Sequence, residues 1–309
     1  MPGLRAGELI EILSQKKARE TFLIPGAPPI IKVDRTFTPI FNLKLTPDEV
    51  KQVLINLHSR STLVNVPIKE AGYFSFGIPG VGRFLVTYVT QRGSYAVYIQ
   101  LVEQTIPSIK VWTSDPEVFT IIEKTTEIDL GLVFISGPFY RLNVDLSASL
   151  LQEIILKREV LVYTVESPLT YSLQHRNALV IQREVGTDVS TFEEGLKESL
   201  RLPAGIVYIN DIPSKSVAEN LLRVVESGKL VISVFPSGGI QPGLFAFERY
   251  FDNPYPVRHL LAELTHSIFS PYPAPQGPSI YWLERNPEVR QLLLKGDYEA
   301  LSSFIRKSQ

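Results

Sequence analysis

Cysteine is absent from this chain of 309 residues, methionine occurs once, tryptophan twice, and the four histidines stand apart at His58, His175, His259 and His266. Without cysteine there can be no disulfide, no thiolate nucleophile and no cysteine-ligated zinc. No histidine has a metal-ligand neighbour or a paired nucleophile and acid at suggestive spacing, so the sequence offers no metal centre. Surplus charge is missing too: 31 Lys and Arg against 32 Asp and Glu leave a formal net charge of -1. That excludes the basic excess that nucleic acid or an anionic membrane surface selects. Long hydrophobic runs are also lacking, with no apolar stretch of about 18 residues. The N-terminal MPGLRAGELIEILSQKKARE carries charge throughout, so neither a signal peptide nor a spanning helix is expected, and the chain reads as cytoplasmic without membrane insertion. The scarcity of cysteine and methionine fits a heat-adapted source.

What is present is an ordinary globular composition, 44% apolar and 20% charged. At about 150 residues per domain the length suggests two domains. TPDEVKQVLINLHS has the start signals of a helix: Thr46 as N-cap, Pro47 at the first helical position and Glu49 placed to close a capping box. YFSFGIPGVGRFLVTYVTQRGSYAVYIQLV alternates apolar and polar positions on both sides of QRGS, which predicts a hairpin with a tight turn. Polar residues and two prolines in EQTIPSIKVWTSDPEV mark the expected domain boundary. Beyond it, GLVFIS, EVLVYTV, GIVYIND and KLVISVF are short, nearly continuous apolar runs, as in strands covered on both faces. Helical segments lie between them: TFEEGLKESLR opens on a Thr191/Glu194 capping box, and SVAENLLRVVESGK stops at Gly228. This alternation predicts a parallel α/β domain with a RecA-like sheet. Past Pro254 the periodicity of VRHLLAELTHSIF places Val257, Leu260, Leu261, Leu264 and Ile268 on one helical face, and NPEVRQLLLKGDYEALSSFIRK, after a proline-rich loop, extends an expected helical C-terminal portion.

Residues 131 to 145, GLVFISGPFYRLNVD, start as a phosphate-binding loop does. A buried strand runs into Gly137-Pro138, but the further glycine, lysine and hydroxyl that such a loop needs do not follow.

IQREVGTDVSTFEEGLKESLR at 181 to 201 closely resembles the stretch before the Walker B strand of PilT-like ATPases, the retraction motors of type IV pili. The order of other pieces agrees over almost the whole chain: PGAPPIIKVDRTFTPI, LTPDEV, GRFLVTYVTQRGS, GLVFISGP, VESP, ESGKLVISV and NPEVRQLLLKG. The resemblance implies an N-terminal PAS-like α+β domain over 1–106, a RecA-like P-loop ATPase domain over 107–250 and a C-terminal helical subdomain over 251–309. It also implies assembly as a hexamer with nucleotide sites between neighbours.

The family's chemistry carries over unevenly. A Walker A loop needs glycine for close backbone approach, lysine on the β- and γ-phosphates and a hydroxyl on magnesium. Here Gly137 and Pro138 are kept, whereas the second glycine falls on Leu142, the lysine on Asn143 and the hydroxyl on Val144. Asp145 follows and would repel phosphate. Asn143 or Asp145 is expected instead to satisfy the amides at the helix start. The family's Asp box corresponds to Glu166-Ser167-Pro168, the Walker B acid to Asp211, and the histidine of the His box to Pro236. Arg83 and Arg92 resemble trans-acting phosphate contacts between subunits. Strand-end carboxylates and hairpin arginines are equally ordinary surface or interface residues, so Glu166 and Asp211 are read as vestigial.

These residues imply a catalytically degenerate PilT-like protein, a non-hydrolysing component or regulator of a type IV pilus or related secretion motor. It is expected to require no cofactor and to work by self-association, by entering a mixed oligomer with active homologues, or by holding a pilus or secretion platform protein. The alternative is a divergent ATPase that binds ATP and magnesium through Arg83, Arg92, Glu166 and Asp211, with Arg141 as substitute cation. A third possibility is that the old pocket takes another anion or nothing.

Overall fold

A computed structural model describes residues 6–15, 19–33, 36–102, 105–275 and 277–308. These form two compact units, one of residues up to 105 together with 170–172, the other of residues 106–169 and 173–309.

The first unit is an antiparallel sheet with two helices. Its elements are α1 (Ala6–Gln15), β1 (Glu20–Leu23), β2 (Ile30–Val33), β3 (Thr36–Pro39), α2 (Pro47–His58), β4 (Ala71–Ile78), β5 (Gly82–Gln91) and β6 (Ser94–Val102). The strand order is β3-β2-β1-β6-β5-β4. At the start of α2 the expected reciprocal cap forms: Thr46 Oγ1 accepts from the Glu49 amide at 3.2 Å and the Thr46 amide donates to Glu49 Oε2 at 2.7 Å. The apolar face of that helix, Val50, Val53, Leu54 and Leu57, packs in one core with Phe74, Phe84, Val86 and Ile99 of the sheet. The β5–β6 hairpin turns at Arg92 and Gly93, both with positive φ, +48° and +76°.

The second unit contains α3 (Pro116–Glu127), β7 (Gly131–Ile135), α4 (Tyr140–Lys157), β8 (Leu161–Glu166), β9 (Leu179–Glu184), α5 (Phe192–Ser199), β10 (Ile206–Ile209), α6 (Lys215–Glu226), β11 (Leu230–Val234), α7 (Ile240–Glu248), α8 (Pro254–Leu264), β12 (Thr265–Tyr272), β13 (Ser279–Glu284), α9 (Pro287–Lys295) and β14 (Arg306–Lys307). Its eight strands are ordered β14-β13-β12-β7-β11-β10-β8-β9. From β12 to β9 every neighbouring pair is parallel, and β13 and β14 are antiparallel additions at one edge. The four continuous apolar runs are β7, β8, β10 and β11, and β7 and β11 are buried at every position. Their side chains alternate into two cores. Leu132, Phe134, Val207 and Ile209 join α5, α6 and α7 on one face, while Val133, Ile135, Ile206 and Tyr208 join α3 and α4 on the other.

The structure corrects two sequence expectations here. The helix beginning at Pro254 ends at Leu264, and Ile268 belongs to β12, so the C-terminal portion is not all helical. The apolar spacing runs on past Leu264, but Thr265, Ile268 and Phe269 are β-branched or aromatic, and pairing Ile268 with Phe134 buries them beside β7. At α5 only half of the expected box closes: Thr191 Oγ1 accepts from the Glu194 amide at 3.2 Å, while Glu194 Oε2 accepts from Ser190 at 3.3 Å. Among the described residues, no helix is long and apolar enough to cross a membrane.

Candidate functional site

The loops after β7, β8, β10 and β11 all leave the carboxyl edge of the parallel sheet, where open α/β sheets receive ligands. Of the sequence candidates, Gly137, Pro138, Arg141, Asn143, Val144, Glu166 and Asp211 are brought to this edge. Arg83 and Arg92 lie in the first unit: Arg83 Nη2 donates to Ser75 Oγ at 2.6 Å across the β4–β5 pair, and Arg92 occupies the exposed hairpin turn.

The turn from β7 into α4 carries none of the side chains of a Walker A loop at the lysine and hydroxyl positions, which hold Asn143 and Val144. Its N-cap, Phe139, makes no side-chain cap hydrogen bond. A Cβ on Gly137 would lie 2.9 Å from Asn143 Oδ1 and 3.1 Å from Ser270 Oγ, so the close approach here requires glycine. Asn143, at the lysine position, is fully buried, and its Nδ2 donates to the Gly137 carbonyl at 2.8 Å. Its Oδ1 has no hydrogen-bond partner. Asn143 therefore does not cap the helix amides, because it sits a full turn inside α4 with its amide turned back to the strand end. Asp145 is drawn the other way, with Oδ1 2.7 Å from Arg141 Nε in an i,i+4 ion pair. Val144, at the hydroxyl position, is buried, and Leu142 packs against the core on that face. Pro138 and Phe139 are exposed, with the Phe139 ring edge-on to Tyr272 at 6.0 Å.

Glu166 ends β8 as a buried carboxylate, its Oε1 accepting from Thr164 Oγ1 at 2.7 Å and from Gln182 Nε2 at 3.1 Å. The Ser167–Pro168 peptide that follows is cis. Two residues that sequence reasoning missed hold this loop. Asn210 Oδ1 accepts from the Ser167 amide at 2.8 Å and its Nδ2 donates to the Pro168 carbonyl at 3.0 Å, while Glu184 Oε1 accepts from the Leu169 amide at 3.0 Å. A polar side chain closing the apolar run GIVYIN was the available signal for Asn210; nothing local marked Glu184.

Asp211 is half-buried and accepts from the Ile212 amide at 2.8 Å. Burial pushes its carboxyl above the ordinary range, and that amide opposes the shift. On β10, the strand before it, the Tyr208 hydroxyl is held well above its usual value, first by burial and then by the charge of Glu166.

After β11, Pro236 stands where the family has histidine, so this loop has no titratable group at that position. The Ser136 and Ser237 hydroxyls lie 2.7 Å apart, Ser237 Oγ donates to the Gly239 carbonyl at 2.7 Å, and the Ser237 amide donates to the Gly137 carbonyl at 3.3 Å. The two loops are thus joined to each other by hydrogen bonds.

These residues do not fit a magnesium nucleotide. The lysine position holds a buried amide with an unpartnered acceptor, the metal hydroxyl is a valine, and the turn's one cation is engaged by Asp145. Among the described residues, no group of three or more His, Asp or Glu could hold a metal ion.

No protein-family model matches the chain. In sequence it is 23% identical over 312 aligned residues to the type IV pilus ATPase PilU of Pseudomonas aeruginosa, covering 97% of this chain and 80% of that protein. It is 26% identical to the type IV pilus retraction ATPase PilT of the same organism, over 85% of this chain and 76% of that one. In fold it is similar to the crystal structure of the pilus retraction motor PilT with bound ADP, with a TM-score of 0.81 at 24% identity over 97% of this chain and 89% of that one. The ATPase DotB of Legionella pneumophila superposes with a TM-score of 0.74 at 18% identity, over 96% of this chain and 84% of that one. The resemblance to the PilT-like secretion ATPase family is thus supported over nearly the whole chain.

Proposed function

We propose that this PilT-like chain serves a type IV pilus motor or a related secretion motor as a non-hydrolysing component or regulator. The observation that carries the reading is Asn143. At the lysine position a buried amide donates to Gly137, so the turn is tied to itself rather than open to phosphate. Phosphoryl transfer is accelerated chiefly by positioning and charge stabilisation, and loss of one major electrostatic contributor costs about 10²- to 10³-fold. Here the lysine and the metal hydroxyl are both replaced. What remains is a scaffold that can occupy a place beside active homologues, associate with itself or hold a platform protein. Relatedness to PilU and PilT supports the pilus context.

The competing reading, a divergent ATPase with Arg141 as substitute cation, is weakened by the 2.7 Å ion pair that commits Arg141 to Asp145. Isothermal titration with millimolar Mg-ATP and Mg-ADP separates the two. Absence of binding is expected. Magnesium-dependent turnover that disappears in Asp211→Ala would overturn the non-hydrolysing reading.

A further inference from the structure

Helix α7 is fastened at both ends to one short segment of the C-terminal region. At its start, Gln241 Nε2 donates to the carbonyls of Tyr298 and Glu299 at 2.7 and 3.1 Å. At its end, Glu248 is held by the Arg258 guanidinium, with Nε and Nη2 donating at 2.8 and 2.7 Å, and its Oε2 also accepts from the Tyr298 hydroxyl at 2.5 Å. Glu248 and Tyr298 are both buried, which makes these charge-assisted bonds stronger than their surface equivalents. Gly296 closes the arrangement. It ends α9 in the left-handed conformation, φ +70°, and a Cβ there would lie 2.3 Å from the Arg258 guanidinium carbon.

The other side of α7 faces the candidate site. Gly243 packs so closely on β7's exit that a Cβ would lie 2.2 Å from Ser136 Oγ and 3.0 Å from Ser237 Oγ. Ser136 and Ser237 bond to each other, and the Ser237 amide donates to Gly137. A continuous run of close contacts therefore leads from Gly296 and Tyr298, through Glu248, Gln241 and Gly243, to the Ser237–Gly239 loop and the turn at Gly137.

We propose that residues 296–299 form a strap that fixes α7, and through it the Ser237–Gly239 loop and the Gly137 turn. This holds whether or not the turn binds nucleotide. α7 is the sole helix that both touches Ser136 and is bonded to 298–299 among the described contacts, which makes it the mechanical element.

Hydrogen exchange on the full chain tests it with two substitutions outside α7. In Tyr298→Phe and in Gly296→Ala, amides in 237–243 are expected to exchange about tenfold faster, the size of one charge-assisted hydrogen bond, while those of β8 stay protected. Thr191→Ala, which removes a cap at α5, serves as a control brought to a similar loss of melting temperature. An increase confined to 296–301, or an equal loosening of 237–243 in Thr191→Ala, would overturn the strap. Should Gly296→Ala fail to fold, Tyr298→Phe decides alone.

Discussion

The Asn143 side-chain amide donates to the Gly137 carbonyl at 2.8 Å, so the fourth residue of α4 is bonded to the residue that ends the preceding strand's turn. Asn143→Lys alone is expected to place an unpaired ammonium in a fully buried site and to destabilise the chain by about 2 to 4 kcal/mol, read as a lower urea midpoint without nucleotide binding. The triple variant Leu142→Gly, Asn143→Lys, Val144→Thr restores glycine freedom, cation and hydroxyl together. It is expected to show measurable Mg-ADP binding by titration calorimetry, and a silent triple variant would mean that the defect extends beyond this turn.

Asn210 holds Ser167 and Pro168 through two hydrogen bonds. Asn210→Leu leaves the Ser167 amide without its acceptor, at an expected cost of about 1 to 3 kcal/mol in chemical unfolding. Asp211→Asn, one residue further, removes only a half-exposed carboxylate and is expected to change stability by less than about 0.5 kcal/mol.

Gly243 and Ser136 form a close packing pair whose coupling can be measured. Gly243→Ala is expected to cost about 1 to 3 kcal/mol by overpacking, and combining it with Ser136→Gly is expected to recover part of that loss. Strict additivity in the double-mutant cycle would contradict the contact.

Two histidines, the buried His58 and the half-buried His266, set a pH dependence. Burial lowers the pKa of His58, which stacks edge-on against Phe74 at 5.0 Å, and burial is also the first cause lowering that of His266. A lowered folded value means that the unfolded chain binds the proton more readily. The stability these groups contribute is therefore complete above the unfolded value of about 6.5 and is lost as pH falls through the folded values. Urea midpoints are expected to drop as pH falls below about 6.5, and His58→Leu is expected to flatten that drop.

Much of the fold was legible because local chemistry and global packing agreed. Thr46, Pro47 and Glu49 announce α2, the QRGS turn announces its hairpin, and four Val- and Ile-rich runs announce the parallel sheet. Strand β12 was hidden because the spacing of Val257, Leu261, Leu264 and Ile268 continues a helical stripe past the real end of the helix; what overrides it is the edge of β7, more than a hundred residues away in sequence. At the site, the replaced residues Leu142, Asn143 and Val144 could be read directly. Arg141 and Asp145 also stand at i,i+4 spacing, but the other partners could not be read: the pairing of Asn143 with Gly137 and of Asn210 with the cis-proline loop depends on where a folded backbone turns its carbonyls and amides.

The parallel pairing of β7 with β12 also bears on how the chain comes into being. Residue 135 is paired with residue 269, so that edge of a fully apolar strand remains unpartnered until β12 has been made. At ribosomal speeds of about 5 to 20 residues per second, that interval is on the order of ten seconds. For that time the nascent chain carries an open apolar strand edge.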